Sequence, residues 1–278
     1  MQHGKCELCH LMRDLHDSHY LPAGGYRRAR AANLKNPNPI ILSNGKAKQS
    51  SNQVRDYKFC TECEKRFNVG GESWVLSKVP AQYGKPFEIH TLLNTATPTF
   101  VRKGFLIFPG ATVPEIDLAK LVYFGISMFW RATLDWSPVD GGTPPKLFMN
   151  IRQKEGVRQF LLGNGPLPKD MVITVAVWPF KKVYLMNFVP SRVEGAYRQY
   201  RFHFSGFIFV LSFGKKLPAE LKRTCAYRSK VLTINSKLGE SVKQELASQL
   251  ETADKRRIQG TLQEIAAIRA KSASSSQN

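Results

Sequence analysis

The sequence has few acidic residues and no long apolar segment. Its 278 residues include 21 Asp and Glu against 41 Lys and Arg, which gives a net charge of +20. This excess favours polyanionic partners, and nucleic acid is the first expectation. The longest apolar runs, around Leu121 to Trp130 and Phe204 to Phe213, are shorter than a membrane-spanning helix requires. We therefore expect a protein that binds nucleic acid, DNA in the first place, and that does not enter a membrane.

An apolar signal core is also missing at the N-terminus, which reads Met-Gln-His-Gly-Lys-Cys. Because a cysteine of the first pair already stands at position 6, we expect no cleaved leader and predict a cytoplasmic protein. Cysteines are few, five in all, and a reducing compartment disfavours their use in disulfides. Cys225, the odd one, is expected to be a plain thiol.

Four of the cysteines form two pairs of identical spacing, Cys6-Glu-Leu-Cys9 and Cys60-Thr-Glu-Cys63. A Cys-x-x-Cys step lets two thiolates of one tight turn point at the same ion, and two such steps complete a tetrahedral shell of four sulfurs. A redox dithiol or four unrelated thiols are the alternatives, and the matched spacing favours zinc. The sequence therefore predicts a closed structural Zn²⁺ site made of Cys6, Cys9, Cys60 and Cys63.

The residues around the two pairs follow the order of a treble-clef zinc fold, which is a knuckle, a hairpin and a helix. Tyr57-Lys58-Phe59 alternates like a short strand that enters the second pair, and Glu64-Lys65-Arg66-Phe67 is typical of a first helical turn. Gly70 and Gly71 are predicted to end this helix. The polar stretch from Lys35 to Arg55 predicts an exposed loop.

The segment His19-Tyr20-Leu21-Pro22-Ala23-Gly24-Gly25, followed by Asn33-Leu34 and Cys60-x-x-Cys63, resembles the HNH endonucleases, whose catalytic module is a treble clef of the His-Me finger type. The resemblance covers about the first quarter of the chain. It implies phosphodiester hydrolysis in which the His is the general base, the Asn orients it, and one divalent ion stabilises the phosphate charge. By position, His19 would be the base and Asn33 its orienting residue.

Two positions depart from the pattern of that family. The residue before the His is usually a metal-binding Asp, but here it is Ser18, and Asp17 points off the opposite side of a strand. After the closing cysteine pair, Glu64 replaces the usual Asn or His, and its carboxylate could hold Mg²⁺ or Mn²⁺. The inserted loop leaves the orienting residue open between Asn33 and Asn44. The resemblance thus implies a catalytic set of His19, Asn33 and Glu64.

The same motifs, Cys-x-x-Cys, Ser-His-x-x-Pro and Cys-x-x-Cys-Glu, make the chain similar to uncharacterised bacterial proteins, with a likeness that extends into residues 118–162. This second resemblance adds no function of its own.

Basic residues are concentrated in the same N-terminal region. On loops and helix ends they give affinity for a phosphate backbone and carry little information about base sequence. A solubilising charged surface is the alternative interpretation. The candidate nucleic-acid-binding residues are Arg27, Arg28, Arg30, Lys46 and Lys48.

The rest of the chain predicts further α+β structure. A nearly all-apolar helix is expected from Pro114 to Arg131, and alternating patterns predict antiparallel strands between 171 and 213. The tail has apolar residues at helical spacing, so it predicts an amphipathic helix that needs a partner surface. The predicted organisation is a treble-clef zinc module over 1–79, an α+β domain over 80–235, a C-terminal helix over 236–270 and a disordered Ser-rich tail over 271–278.

Three functions are compatible with these patterns. The first is a metal-dependent endonuclease or nickase of HNH type with structural zinc and catalytic Mg²⁺ or Mn²⁺. The second is a non-catalytic, zinc-stabilised component of a bacterial defence or regulatory complex that binds nucleic acid or protein. The third is an assembly subunit that associates with another protein or with itself through the C-terminal helix.

Overall fold

The structure is a computed structural model that describes residues 2–30, 38–43, 46–80, 86–139, 144–179 and 187–257. The strands are β1 (Gln2–Lys5), β2 (Met12–His19), β3 (Ile40–Ser43), β4 (Lys46–Gln49), β5 (Arg55–Cys60), β6 (Phe100–Arg102), β7 (Phe105–Pro109), β8 (Met171–Val177), β9 (Ser191–Val193), β10 (Arg198–Phe204), β11 (Phe207–Phe213), β12 (Val231–Asn235) and β13 (Asp254–Arg257). The α-helices are α1 (Ala23–Ala29), α2 (Thr61–Phe67), α3 (Ser73–Lys78), α4 (Glu88–Thr95), α5 (Leu118–Arg131), α6 (Ile151–Leu162), α7 (Ala219–Arg223) and α8 (Ser236–Thr252). The predicted α+β class is confirmed. Within the described ranges, every helix is too short or too polar to cross a lipid bilayer.

The N-terminal elements form a small antiparallel sheet in the order β1-β2-β5. The turn from Cys6 to Cys9 joins β1 to β2, and it is closed by hydrogen bonds from the Cys6 amide to Leu11 O and from the His10 amide to Cys6 O, both 2.9 Å long. Helix α2 begins directly after the last residue of β5. We call β1, this turn, β2, β5 and α2 the knuckle module. Its order of knuckle, hairpin and helix is the one that the sequence predicts.

The helix that starts after Cys60 does not end at Gly70 and Gly71, so that expectation was wrong. A π-helical turn, Asn68–Glu72, carries it on into α3. The glycines are needed for a different reason, which is the close approach of α5. A β-carbon on Gly70 would lie 2.5 Å from the ring of Tyr123, and one on Gly71 would lie 2.6 Å from the carbonyl oxygen of Lys120.

The larger sheet has seven strands in the order β6-β7-β12-β8-β11-β10-β9. Neighbours are antiparallel except β12 and β8, which run parallel. Helix α5 packs on it, and the Phe124 ring lies 5.0 Å from Phe204 and 5.6 Å from Phe209 between centroids. We call this sheet together with α5 the sheet core. The apolar pattern of the 118–131 stretch predicts a buried helix. In the structure almost every face of α5 does contact protein.

The segment expected to be an exposed loop contains a hairpin, β3 and β4, and β13 adds to it in parallel with β4. Helix α8 begins at the predicted residue, where the Asn235 side chain accepts a hydrogen bond from the Leu238 amide. It ends at Thr252, earlier than the predicted 270, because the chain turns there into β13. Residues 258–278, and with them the predicted tail, lie outside the described residues.

The knuckle module and the sheet core share buried apolar residues in one continuous cluster that runs from Cys6 to Val242. Phe59 and Phe67 of the module contact Trp130 of α5 at centroid distances of 6.0 and 6.4 Å. The module therefore rests on the C-terminal half of α5, which fixes the position of every residue discussed below.

Candidate functional site: a cysteine cage and the His19 turn

The four predicted zinc ligands come together. Cys6 and Cys9 lie on the knuckle, Cys60 ends β5, and Cys63 lies in the first turn of α2. Their sulfur atoms all lie within 4.8 Å of one another, and those of Cys9 and Cys60 are 3.9 Å apart. A tetrahedral zinc site with bonds of about 2.3 Å has sulfur–sulfur edges of about 3.8 Å. The donor set and its spacing fit a structural zinc ion.

The hydrogen bonds of the cage show what a cation would replace. The Cys6 sulfur accepts a bond from the Cys60 amide at 3.5 Å. A bond from the Cys63 thiol lowers the pKa of Cys6 to about 4, while the same bond raises the pKa of Cys63. Burial raises the pKa of Cys60 to about 11. A zinc ion in the cage would stabilise all four sulfurs as thiolates.

His19 lies at the end of β2, opposite Arg55 of β5, with its side chain half-buried. Burial is the main cause that lowers the pKa of His19, and the charges of Arg55 and Arg131 lower it further. The carboxylates of Asp17 and Glu64 act in the opposite direction. The imidazole is therefore neutral at pH 7 and able to accept a proton.

Arg131, at the end of α5, holds the backbone carbonyl groups of His19 and of the residue that follows it. Only 2% of its side chain is exposed, and its Nη1 donates to the carbonyl oxygens of His19 and Tyr20, each at 3.4 Å. Its Nη2 forms an ion pair with Glu72 at 2.6 Å, and its guanidinium lies 4.2 Å from the centre of the Phe67 ring. Buried charge is tolerated here because both partners are paired and hydrogen-bonded.

Glu72 lies where the helix continues through the π-helical turn, and its side chain points inward to Arg131. Its side chain is 13% exposed, and burial raises its pKa against the opposing effect of Arg131. Glu64 adds a second negative charge that also raises the pKa of Glu72. The same Glu64 charge acts on His19, so all three groups lie in one electrostatic neighbourhood.

Glu64 is partly buried on α2, and its Oε1 is buried without a hydrogen-bond partner among the described residues. An oxygen in that situation is an available ligand for a cation or a donor. In the described part of the chain, however, the cysteine cage is the one group of three or more His, Cys, Asp or Glu close enough to share an ion. Any catalytic Mg²⁺ or Mn²⁺ would therefore need oxygen ligands from the substrate as well.

The two residues before His19 have structural partners. Ser18 is buried; its hydroxyl donates to His16 O and accepts from the Phe59 amide, both at 3.2 Å. These bonds hold the bulge of β2 between His16 and Asp17. Asp17 lies on the exposed side and pairs with Arg55 at 2.9 Å. Neither residue points into the neighbourhood of Glu64 and Glu72 with a free oxygen. Asn33 and Asn44, the two candidates for orienting His19, lie outside the described residues.

The basic residues lie on two elements. Helix α1 starts four residues after His19 and is pressed against the rest of the chain, since a β-carbon on Gly25 would lie 2.8 Å from the Phe204 ring. Arg27 and Arg30 are exposed at its C-terminal end, whereas burial lowers the pKa of Arg28. Lys46 is exposed on β4, and Lys48 follows two residues later on the same strand.

Sequence reasoning missed Arg131 and Glu72 as supports of the His19 turn. One signal was present, because Arg131 is a charged residue that closes a long apolar helix pattern, and such a charge needs a buried partner. Comparison of the chain with family models, with curated proteins and with solved structures finds no significant match.

Proposed function

We propose that the protein is a metal-dependent endonuclease or nickase that cuts nucleic acid, DNA in the first place. The observation that carries the proposal is the half-buried His19 imidazole at the end of β2, whose pKa is lowered by burial and by the charges of Arg55 and Arg131. A neutral imidazole on a rigid backbone can remove a proton from a water molecule that attacks phosphorus. The zinc of the cage is structural in this proposal and takes no part in the reaction.

The rigidity comes from both sides of the His. The pairing of β2 with β5 holds its strand, and the two hydrogen bonds from Arg131 hold the carbonyl groups of His19 and Tyr20. A general base acts efficiently only when its ring is held within hydrogen-bond reach of the attacking water. Arg131 is therefore a positioning residue in this proposal.

Glu64 is the candidate ligand for the divalent ion. When bound, Mg²⁺ or Mn²⁺ would neutralise the charge that develops on the scissile phosphate. The unpartnered Oε1 of Glu64 offers an oxygen near His19, and the substrate phosphate would supply others. Exposed basic residues such as Arg27, Arg30 and Lys46 would bind the flanking backbone.

The test is cleavage of a supercoiled plasmid by the full chain with Mg²⁺ or Mn²⁺, with parallel RNA and single-stranded DNA substrates. We expect His19→Ala to lower the rate by about 100-fold or more, since general-base catalysis contributes on that order. Glu64→Gln should raise the Mg²⁺ concentration that half-maximal cleavage requires. The matched control is His3→Ala, because His3 lies on β1 of the same sheet and is largely exposed.

Zinc content and thermal midpoint are measured for each variant, so that loss of folding is distinguished from loss of chemistry. Cleavage by His19→Ala at the wild-type rate would contradict the mechanism. The competing function, a non-catalytic binding component, is supported by the net charge of +20. It predicts salt-sensitive binding without product under any divalent ion.

A further inference from the structure

A cavity of about 400 Å³ lies between α2, the start of α5, the end of α6 and the turn before β12. It is open to solvent on one side. Neither His19 nor the cysteine cage lines it. The lining side chains that matter here are Arg66, Asp117, Lys120, Tyr123, Tyr227 and Lys230.

One wall of the cavity is aromatic. Phe160 of α6 stands between two tyrosines, with its ring centroid 5.4 Å from that of Tyr227 and 6.3 Å from that of Tyr123. The Tyr123 hydroxyl donates to Leu161 O at 3.0 Å, which fixes the ring. Tyr227 is only partly covered by protein. Flat, partly uncovered rings of this kind are stacking surfaces for a planar heterocycle.

The rim of the same cavity is cationic. Arg66, Lys120 and Lys230 line the cavity together with one carboxylate, Asp117, whose nearer oxygen lies 3.6 Å from the Lys120 ammonium. The Lys230 ammonium lies 5.2 Å from the centre of the Tyr227 ring, so charge and aromatic surface adjoin. The rim therefore has an excess of two positive charges, which matches a phosphate dianion.

The backbone at Lys230 is unusual. Its φ is +52°, a left-handed conformation that a residue with a β-carbon adopts at a cost. A hydrogen bond of 2.7 Å from the Gly110 amide to Lys230 O holds it there. A glycine would fit this turn more easily, but it would lose the ammonium group over Tyr227.

We propose that this cavity binds a nucleoside monophosphate group, with the base against Tyr227 and the phosphate between Lys120 and Lys230. A planar base would stack on the aromatic wall, and a phosphate would pair with the excess positive charge beside it. The group could be a free mononucleotide or the phosphorylated end of a nucleic-acid strand. Nothing in the proposal requires the protein to cleave nucleic acid.

The experiment is calorimetric titration of the full chain with adenosine 5′-monophosphate, adenosine and inorganic phosphate. We expect the monophosphate to bind at least about tenfold more tightly than either half alone, because only it meets both the aromatic and the cationic surface. A short oligonucleotide with and without a 5′-phosphate forms the second arm. If the 5′-phosphate strengthens binding of the oligonucleotide, the ligand is the end of a nucleic-acid strand. If the 5′-phosphate does not change that binding, the ligand is the free nucleotide.

Two substitutions locate the site. Tyr227→Leu removes the stacking surface and should weaken binding by about fivefold or more, since stacking of one base contributes on the order of 1 kcal/mol or above. Lys230→Gln removes one phosphate contact and should weaken binding and its dependence on salt. Lys222→Gln is the matched control, since Lys222 is an exposed lysine of α7 that does not line the cavity.

Lys230→Gln also keeps the test decisive if the tyrosine variant fails to fold. The proposal is overturned if the monophosphate does not bind at millimolar concentration, or if it binds Lys230→Gln and Lys222→Gln equally well. Because plasmid cleavage is a separate measurement, a failure here and a failure of the nuclease proposal are distinguishable.

Discussion

In the knuckle module the centre is a group of four sulfur atoms, whereas in the sheet core it is a set of phenylalanine rings in mutual contact. The module is built from short strands whose outer residues are exposed, and its buried rings, Phe59 and Phe67, pack against α5. In the sheet core, β8 and β11 are buried almost throughout, and the Phe202 and Phe209 rings stack at 4.6 Å. We therefore expect the first region to depend on an ion held by the four cysteines and the second on the hydrophobic effect.

The boundary between the two regions has features of both. It is apolar where Phe59 and Phe67 meet Trp130, and it also contains the buried ion pair of Arg131 and Glu72. Because Arg131 reaches from the sheet core to the carbonyl of His19, the stable region positions the candidate catalytic residue of the less stable one. The predictions below test this division.

The largest effect is expected from removing a zinc ligand. Cys60→Ser should abolish binding of one zinc ion per chain and unfold the knuckle module, because a structural zinc site contributes on the order of 10–16 kcal/mol to folding in small modules. Zinc content and hydrogen exchange are the measurements. Exchange should accelerate in β1, β2 and β5 and remain slow in β8 and β11.

The control for this variant is Cys225→Ser, because Cys225 is a buried cysteine far from the cage in sequence and should leave the zinc content unchanged. If β8 and β11 lose protection together with the module, the two regions form one cooperative unit and the contrast fails.

The next effect concerns the buried ion pair. Arg131→Met leaves the Glu72 carboxylate buried and unpaired, which should lower the free energy of unfolding by about 3–5 kcal/mol. Adding Glu72→Gln should restore part of that loss. The exposed pair of Lys146 and Asp135 provides the comparison, and Lys146→Met should leave the free energy of unfolding nearly unchanged. Chemical denaturation measures both. If Arg131→Met and Lys146→Met lowered the free energy of unfolding equally, burial of the ion pair would not be the cause.

A smaller effect is expected from crowding the boundary. Gly71→Ala places a β-carbon 2.6 Å from the carbonyl oxygen of Lys120, so α5 or the π-helical turn must shift. We expect a loss of about 1–3 kcal/mol in the free energy of unfolding. Gly165→Ala is the matched control, since no atom lies within 4 Å of the added carbon. A loss of similar size in both variants would exclude close helix contact as the explanation.

The smallest effect concerns the titration of His19. Arg55→Gln removes a charge that lowers the pKa of His19 and leaves Asp17, which raises it, so the pKa should rise toward the ordinary value. In the wild type, a folded-state pKa below the unfolded value means that stability is full above about pH 6.5 and is lost as the pH falls through the folded-state pKa. This loss on acidification should be smaller in the variant.

Titration of the His19 ring signals by NMR measures the shift directly. Arg13→Gln is the control, because Arg13 pairs with Glu62 at 2.9 Å and does not act on His19. An unchanged or lower His19 pKa in Arg55→Gln would contradict the assigned electrostatics.

Short-range patterns account for the parts of the fold that could be predicted. Two Cys-x-x-Cys steps predict the cage because the spacing brings two sulfurs to one side of a turn, and the apolar stretch before Arg131 predicts α5 because helical periodicity is local. The start of α8 at residue 236 was predicted from apolar residues at helical spacing, which is also a local pattern. The role of Gly70 and Gly71 could not be predicted from a local pattern. The residues that they contact, Tyr123 and Lys120 of α5, are distant in sequence.

The amino-acid sequence by itself determined the α+β class, the cysteine ligands and the buried helix, since each depends on residues that are close along the chain or on composition. Only the tertiary structure decided that Glu72 turns inward to Arg131 and that the Ser18 hydroxyl accepts a hydrogen bond from β5. It also decided that three cationic side chains line the same cavity as the aromatic rings beside α2. These arrangements depend on how α5 and α6 pack against the module. Packing is set by the combined shape of many side chains from distant parts of the chain, and no local pattern records it.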